Sequence, residues 1–471
     1  MPNKQIIAAR PRIFTEEQLE RIHAAAVKIL TEQGIRVLHE GACAAAARAG
    51  LRVSGDRVYP DSARVSEFVK RTQATGRRIG GDRAEPEPKI ALGTHSYQTH
   101  YHLIDTDEIV PYTTELLIEA TKFVDTMAEF GVTSGAPGTP SDVPGDLRQL
   151  AQYKTGALYC RDGRQSVEIY NARMMPYVME MAEALGHPVR SLSVYMVSPL
   201  TLGVEFMDLL LGGRSGLEHV SVGNMPTAGG TAPIRVAEAL ALAAAEAMGG
   251  AIIIEELTKL EVSWSFRVCP LDLRTMAISF GAPEEAIFQL ANGELNAFYH
   301  GHEPGPPWFI LHSQAKLPDM QAAAERMCQL MFGALFGGRS FRGGGTLSLD
   351  EVFSPEQLVI DVEMAQHVSR LIQGMDPECD PAAAAAEVAA GREHGFWGLD
   401  STAARFREVY WASRLFERRS LLAWQQAGGS DLRRRAKDFA RAQMGKYGYE
   451  AKPEVRAAVE RIYHRASREL A

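Results

Sequence analysis

The chain has 471 residues, 46% hydrophobic and 23% charged, with a formal net charge of −8. That length allows a large core and more than one structural region, and the acidic balance gives no reason to expect a nucleic-acid partner. Its five cysteines (Cys43, Cys160, Cys269, Cys328, Cys379) are widely spaced and odd in number, which suits a reducing compartment rather than a disulfide framework.

The opening MPNKQIIAARPR lacks the apolar stretch of a secretory signal. Residues 15–33 carry a helix entry signal: Thr15 as cap, Glu16 and Glu17 in the first turn, and Leu19, Ile22, Ala26, Ile29 and Leu30 on one face. Gly34 is the expected stop. Short helices follow to about residue 75, and RAEPEPKI (83–90) reads as a linker. A helical region is therefore expected over 1–89.

From 90 to 375 the pattern alternates strand and helix. Strands are expected at 131–136, 165–170, 192–197, His219–Gly223, 261–267, 308–312 and 336–341, with helices such as 114–129, 172–185 and 233–248 between them. An eighth strand is not legible. The run 236–257 is apolar but carries Glu238, Glu246, Glu255 and Glu256, which argues against a membrane span. A cytoplasmic location is expected. Residues 376–471 read as a helical C-terminal region; the basic DLRRRAKDFARAQM (431–444) is read as a solvated helix face.

An α/β arrangement of this kind places its site on the loops after the strands. Asn224, Gly229, Gly230 and Thr231 follow one strand, and the glycines 343, 344 and 345 follow another as a place of close backbone approach. Alternation on 165–170 sets Ser166, Glu168 and Tyr170 on one face. A carboxylate in mid-strand is costly unless paired or facing a polar cavity, which singles out Glu168. Tyr195, Trp264, Phe266 and Phe309 lie on or near strand ends, suited to cation–π walls. Tyr97 and Tyr101, in GTHSYQTHYHLID, are placed to reach over the mouth. GxSxG, HExxH and GK[ST] motifs are missing. His100 and His102 form an HxH pair, His300, His302 and Glu303 lie in HGHE, and His312 ends a strand. These residue types hold Zn²⁺ or Fe²⁺ elsewhere, so a metal-dependent enzyme acting on a thiol, ether or alcohol is one reading.

A series of motifs points elsewhere. FTEEQLERIHAAAVKILTEQGIRVL (14–38), GDRVYP (55–60), LIDTDEIVPYT (103–113), SPLTL (198–202), MPTAGGTAPI (225–234), SFGAPEEAIFQLA (279–291), KLPDMQAAAE (316–325), SPEQLVIDVE (354–363) and FREVYWASRLFERRSLLAWQQAG (406–428) occur in order. Together they resemble the trimethylamine methyltransferase family over nearly the whole chain. The resemblance implies a TIM-type (β/α)8 barrel over 90–375 with helical extensions at both ends. It also implies methyl transfer from an amine to the cobalt(I) of a corrinoid on a separate protein, with no metal or cofactor held tightly by the chain itself.

The pyrrolysine of the trimethylamine branch is absent, which favours a quaternary amine such as a betaine. In that reading Glu168, His312 and Arg342 are the candidate catalytic residues. Tyr97, Tyr101, Tyr170, Tyr195, Asn224, Trp264, Phe266, Arg267 and Phe309 surround the substrate, and Arg267, Arg342 or the 343–345 backbone receives its carboxylate. Gly229, Gly230, Thr231 and the 343–345 glycines face the corrinoid. Three departures bear on substrate choice: Gln314 and Ala315 before Lys316 where an Asp-Ser-Lys run is usual, Arg342 where a histidine is common, and Asp350 in place of a glycine. A non-catalytic betaine-binding protein and a homo-oligomer both stay open.

Overall fold

A computed structural model describes residues 12–79, 87–133, 135–162, 172–212, 216–302 and 310–470. Two runs of parallel strands form its centre. In one, Ser191–Val197 pairs with His219–Gly223, which pairs in turn with Glu261–Trp264. In the other, Ser340–Arg342 pairs with Ala91–Gly93, which pairs with Val132–Thr133. Ile310 bridges in parallel to Arg342. Helices separate successive strands, so the chain is α/β. Among the described residues the hydrogen-bonded ladder is not a closed ring.

The strand absent from the sequence reading is Ala91–Gly93, three residues directly after the Pro-rich segment read as linker. It is too short for alternation to show. Other expectations change at their edges: among the described residues the strand expected at 131–136 is Val132–Thr133. The strand expected at 336–341 starts at Ser340, because Phe336 still closes the Met320–Leu335 helix. The strand expected at 261–267 ends at Trp264; beyond it, Arg267 N–H donates to Asn224 O and Cys269 N–H to Pro226 O, steering the chain into Cys269–Asp272. The 165–170 strand, with Glu168 and Tyr170, lies outside the described residues, as do Glu303 and Phe309.

Alternation divides the first ladder into two faces. Leu192, Val194, Met196, Val220, Val222 and Trp264 are buried. Ser193, Tyr195, Ser221, Gly223, Ser263 and Ser265 make the other face, half-buried or exposed. The apolar face is covered by Val236–Thr258, a helix long and apolar enough by composition alone to cross a membrane yet itself buried in the core. It runs through Gly249 and Gly250 rather than stopping at 248. A Cβ at Gly249 would lie 2.7 Å from Ile35 Cγ1, and one at Gly250 would meet Met196. The paired glycines cost helix propensity of roughly 1 kcal/mol each but permit this close approach.

The partner on that side is Glu16–Gln33. Its capping box is present: Gln18 N–H donates to Thr15 Oγ1, and Thr15 N–H to Gln18 Oε1. Such a cap contributes about 1 kcal/mol. Leu19, Ile22, Ala26 and Leu30 are its buried stripe, and each large aliphatic side chain there contributes roughly 1.5–3 kcal/mol.

The basic C-terminal helix is not simply solvated. In Leu432–Met444, Ala436 and Ala440 are buried. Arg433 bonds both Asp107 and Glu356, while Lys437 reaches Asp107 at 2.7 Å. Arg433 and Lys437 are thus engaged in docking onto the body of the protein, while Arg434 stays exposed.

Candidate active site

The C-terminal ends of the parallel strands bring together residues far apart in sequence. His95 follows Ala91–Gly93, Arg267 follows Glu261–Trp264, His312 follows the Ile310 bridge, and Arg342 ends Ser340–Arg342. One ring joins the two ladders at this end. Phe280 stacks on His312 with centroids 4.1 Å apart and lies 5.2 Å from the Arg267 guanidinium carbon. His95 sits 5.7 Å from His312 and 5.4 Å from Tyr97, ring centre to ring centre.

Apart from exposed Arg342, this cluster is buried, and it is electrically unusual. Arg267 pairs with buried Glu285, which Gln289 also reaches at 2.6 Å. Burial, reinforced by the nearby Arg342, Arg267 and Arg326 charges, pulls His95 down to about 3. His312 is held well below the ordinary histidine range, by burial first and then by Arg267, His95 and Arg326. Both imidazoles are therefore neutral at physiological pH, each with one donor and one acceptor nitrogen. His95 Nε2, His312 Nδ1, Arg267 Nε and Glu285 Oε2 have no hydrogen-bond partner among the described residues. Buried polar atoms are nearly always satisfied, so four orphans in one cluster mark a place built to receive a polar ligand.

Asn224 adjoins the cluster through its carbonyl, which accepts Arg267 N–H. Its amide nitrogen donates to Glu246 Oε2 at 2.7 Å and to Ala243 O at 2.8 Å, leaving Oδ1 open. Glu246, buried in the long helix, also accepts Ser198 Oγ and Leu200 N–H. It thereby ties the loops after two adjacent strands to one helix. Burial raises its pKa, against the pull of these three donors.

Tyr195 stands on the polar face, 45% exposed, its ring against Gly223. Gly229, Gly230 and Thr231 lie in a loop whose backbone closes on itself through Thr227 and Ala232. Beside it Met225, Ile234, Leu273 and Met276 form an exposed apolar rim. Gln314 donates its amide to Ile278 O, which fixes the loop that carries Phe280.

Several expected site residues belong elsewhere. Trp264 and Phe266 face the helices: Trp264 packs 5.2 Å from Tyr299, 5.4 Å from His300 and 6.0 Å from Phe68. Strand alternation turns them from the polar face, so they are core rather than cation–π walls. Tyr101 is core as well, against Tyr112 and Phe353.

The 343–345 glycines form a packed turn rather than a ligand cradle. Gly344 N–H donates to Gly93 O and Gly345 N–H to Asp361, and a Cβ on Gly345 would meet Phe353 at 2.7 Å. The histidine ligand set is not assembled either. His102 bonds Ser354 and Asp107, whereas His300 bonds Trp264 O. Among the described residues, the group with ligand spacing is His102, Asp107 and Glu356, and its carboxylates already hold Arg433 and Lys437.

Of these residues the sequence points to Arg267, His312, Arg342, Tyr97 and Asn224, but not to His95, Phe280 or Glu285. A signal existed for each: His95 lies in the odd GTHSYQTHYH stretch, and the other two lie in the SFGAPEEA motif.

Residues 2–468 match the family description trimethylamine methyltransferase (MTTB). Trimethylamine methyltransferase MttB2 of Methanosarcina mazei is 31% identical over 256 residues, 53% of this chain and 50% of that protein. MttB1 of Methanosarcina acetivorans is 30% identical over 282 residues, 58% of this chain and 55% of that protein. Glycine betaine methyltransferase of Desulfitobacterium hafniense is 26% identical over 189 residues, 40% of this chain and 39% of that protein. The chain spans about half the length of the curated relatives it matches. The monomethylamine methyltransferase MtmB of Methanosarcina barkeri superposes with a TM-score of 0.46 at 11% identity, covering 93% of this chain and 88% of that one. With its profile matched almost end to end, the chain belongs to the trimethylamine methyltransferase family.

Proposed function

We propose that this chain is a methyltransferase that removes a methyl group from a quaternary amine bearing a carboxylate, a betaine-like substrate, and delivers it to a corrinoid on a separate protein. The observation that carries the reading is the pair Arg267 and Arg342 beside two neutral histidines at the strand ends. Two guanidinium groups at one site suit an anion, and the open nitrogens of His95 and His312 supply neutral hydrogen bonds. A trimethylammonium group is repelled by the same arginines, so the substrate lies with its carboxylate toward them and its methyl groups toward the polar face. There the exposed Tyr195 ring offers a cation–π contact of about 0.5–1 kcal/mol. The relative named for glycine betaine agrees with this polarity.

The neutral histidines suit the chemistry. A quaternary ammonium leaves as a neutral tertiary amine, so no proton donor is needed, and the site's task is to orient the substrate. Reduced cobalt of the corrinoid supplies the nucleophile. The apolar rim of Met225, Ile234, Leu273 and Met276 suits the methyl-bearing face of a large macrocycle, and the backbone groups of the 229–231 loop suit its amide side chains.

The supporting architecture is a (β/α)8 barrel. In cyclic order its described strands are Ala91–Gly93, Val132–Thr133, Ser191–Val197, His219–Gly223, Glu261–Trp264, the segment at Ile310 and Ser340–Arg342. Pairing of the last with the first, and Phe280 spanning the two ladders, support closure.

The test is anaerobic incubation with reduced cobalamin and a panel of betaines, trimethylamine and a quaternary amine that carries a hydroxyl in place of the carboxylate. The expected result is loss of the cobalt(I) absorbance with a betaine alone. Binding without any such loss points to the non-catalytic binding protein, and equal turnover of the carboxylate-free quaternary amine defeats the anion reading.

A further inference from the structure

Residues 375–410 are unlike the rest of the molecule. The Pro381–Gly391 helix buries only Gly391, and the Asp400–Val409 helix buries no residue. Isolated helices under ~12–15 residues are marginal in water even when Ala-rich, and most helical stability comes from burying one face. Here the apolar side chains point outward: Trp397 is 85% exposed and Tyr410 75%, with Met375, Val388, Phe396, Phe406 and Val409 exposed around them. Scattered surface hydrophobics are ordinary, but a concentration of this size marks an interface.

Charge indicates what covers it. The start of the segment is acidic, with exposed Asp376, Glu378 and Asp380 and then Glu387 and Glu393. The stretch that follows is basic: Arg418 and Arg434 are exposed, while Arg414 is held over the Phe130 ring and by Gln366. Both halves lie on the same chain, so a two-fold axis sets each acidic arm against the other copy's basic stretch, as an isologous contact requires. The four aromatic rings of each arm, at their present exposure, offer on the order of 1,000 Å² from two copies. That is most of the ~1,600 Å² of a standard interface.

We infer that residues 375–410 are a dimerisation arm, covered by a second copy of this chain and packed acidic on basic. The inference is independent of the reaction assigned above.

Sedimentation velocity of the full chain at micromolar concentration tests it. The expected wild-type species is a dimer or a closed multiple of it. Trp397→Asp with Tyr410→Asp should weaken self-association roughly a hundredfold, since buried Trp and Tyr are typical hot spots. Hydrogen exchange at 381–409 should rise in that variant, with the thermal midpoint of the body unchanged. Asp376→Lys with Glu378→Lys, and separately Arg418→Glu with Arg434→Glu, should each dissociate the protein, and all four changes in one chain should restore it. A monomeric wild type, or an oligomer indifferent to Trp397 and Tyr410, overturns the inference. Association that survives both charge reversals unchanged also overturns it.

Discussion

Two buried arginines show how this molecule separates structure from receptivity. Arg326 is fully enclosed. Its guanidinium is bidentate with Asp361 and donates to Leu311 O, Thr346 O and Gly343 O at 2.6, 2.6 and 2.7 Å. Asp361 in turn accepts Gly345 N–H and the Gln357 amide. Every strong donor has its acceptor, and the product is a rigid glycine turn. Arg267 is also buried and also paired, yet its Nε, the second oxygen of Glu285 and one nitrogen on each neighbouring histidine are left open. The same residue type serves architecture where its valences are filled and recognition where they are not.

The comparison breaks most readily at Arg326. Arg326→Ala leaves Asp361 buried and unpaired, and breaking such a pair costs about 3–5 kcal/mol. The expected outcome is insoluble protein or a sharply lowered denaturation midpoint by circular dichroism. Stability within about 1 kcal/mol of wild type would show that the hub is dispensable.

Arg267 should behave in the opposite way once its partner is neutralised too. The double variant Arg267→Gln with Glu285→Gln removes both charges and should keep a near-wild-type midpoint. Losing a charge-assisted contact typically costs 2–5 kcal/mol, so affinity for a carboxylate-bearing amine should fall by at least about thirtyfold. Affinity for an uncharged analogue should hold, as read by calorimetry. Equal losses for both ligands would place Arg267 with Arg326 as framework.

The smallest effect lies in pH. His95 titrates near 3 in the folded protein but at about 6.5 when unfolded. Between those values the unfolded chain binds the additional proton, so stability falls as pH drops below about 6.5 and levels off near 3. His95→Gln should flatten that part of a urea-melt series between pH 7 and 5. Arg342→Gln should raise the His95 pKa part of the way, since burial remains and one of the opposing charges is gone. NMR titration of the His95 ring reads this directly; an unmoved pKa would show that Arg342 does not act on the site.

Much of this protein is legible in its residues. Alternation and turn chemistry locate Ser191–Val197 and His219–Gly223 to within a residue, and the Thr15 cap and leucine stripe define the first helix. These features are local, set by backbone propensity and a period of two or 3.6. The ordered motifs likewise carry the family without any coordinates. Only the tertiary structure could show that Trp264 turns toward the helices, because one strand's alternation does not say which face meets the core. Only it could show that Ala91–Gly93 lies between the last strand and Val132–Thr133, since three residues hold no period. It also decided that His95, Phe280, Arg267 and His312 meet. Desolvation and the summed field of distant charges set the protonation of those histidines, and neither is a property of a sequence neighbourhood.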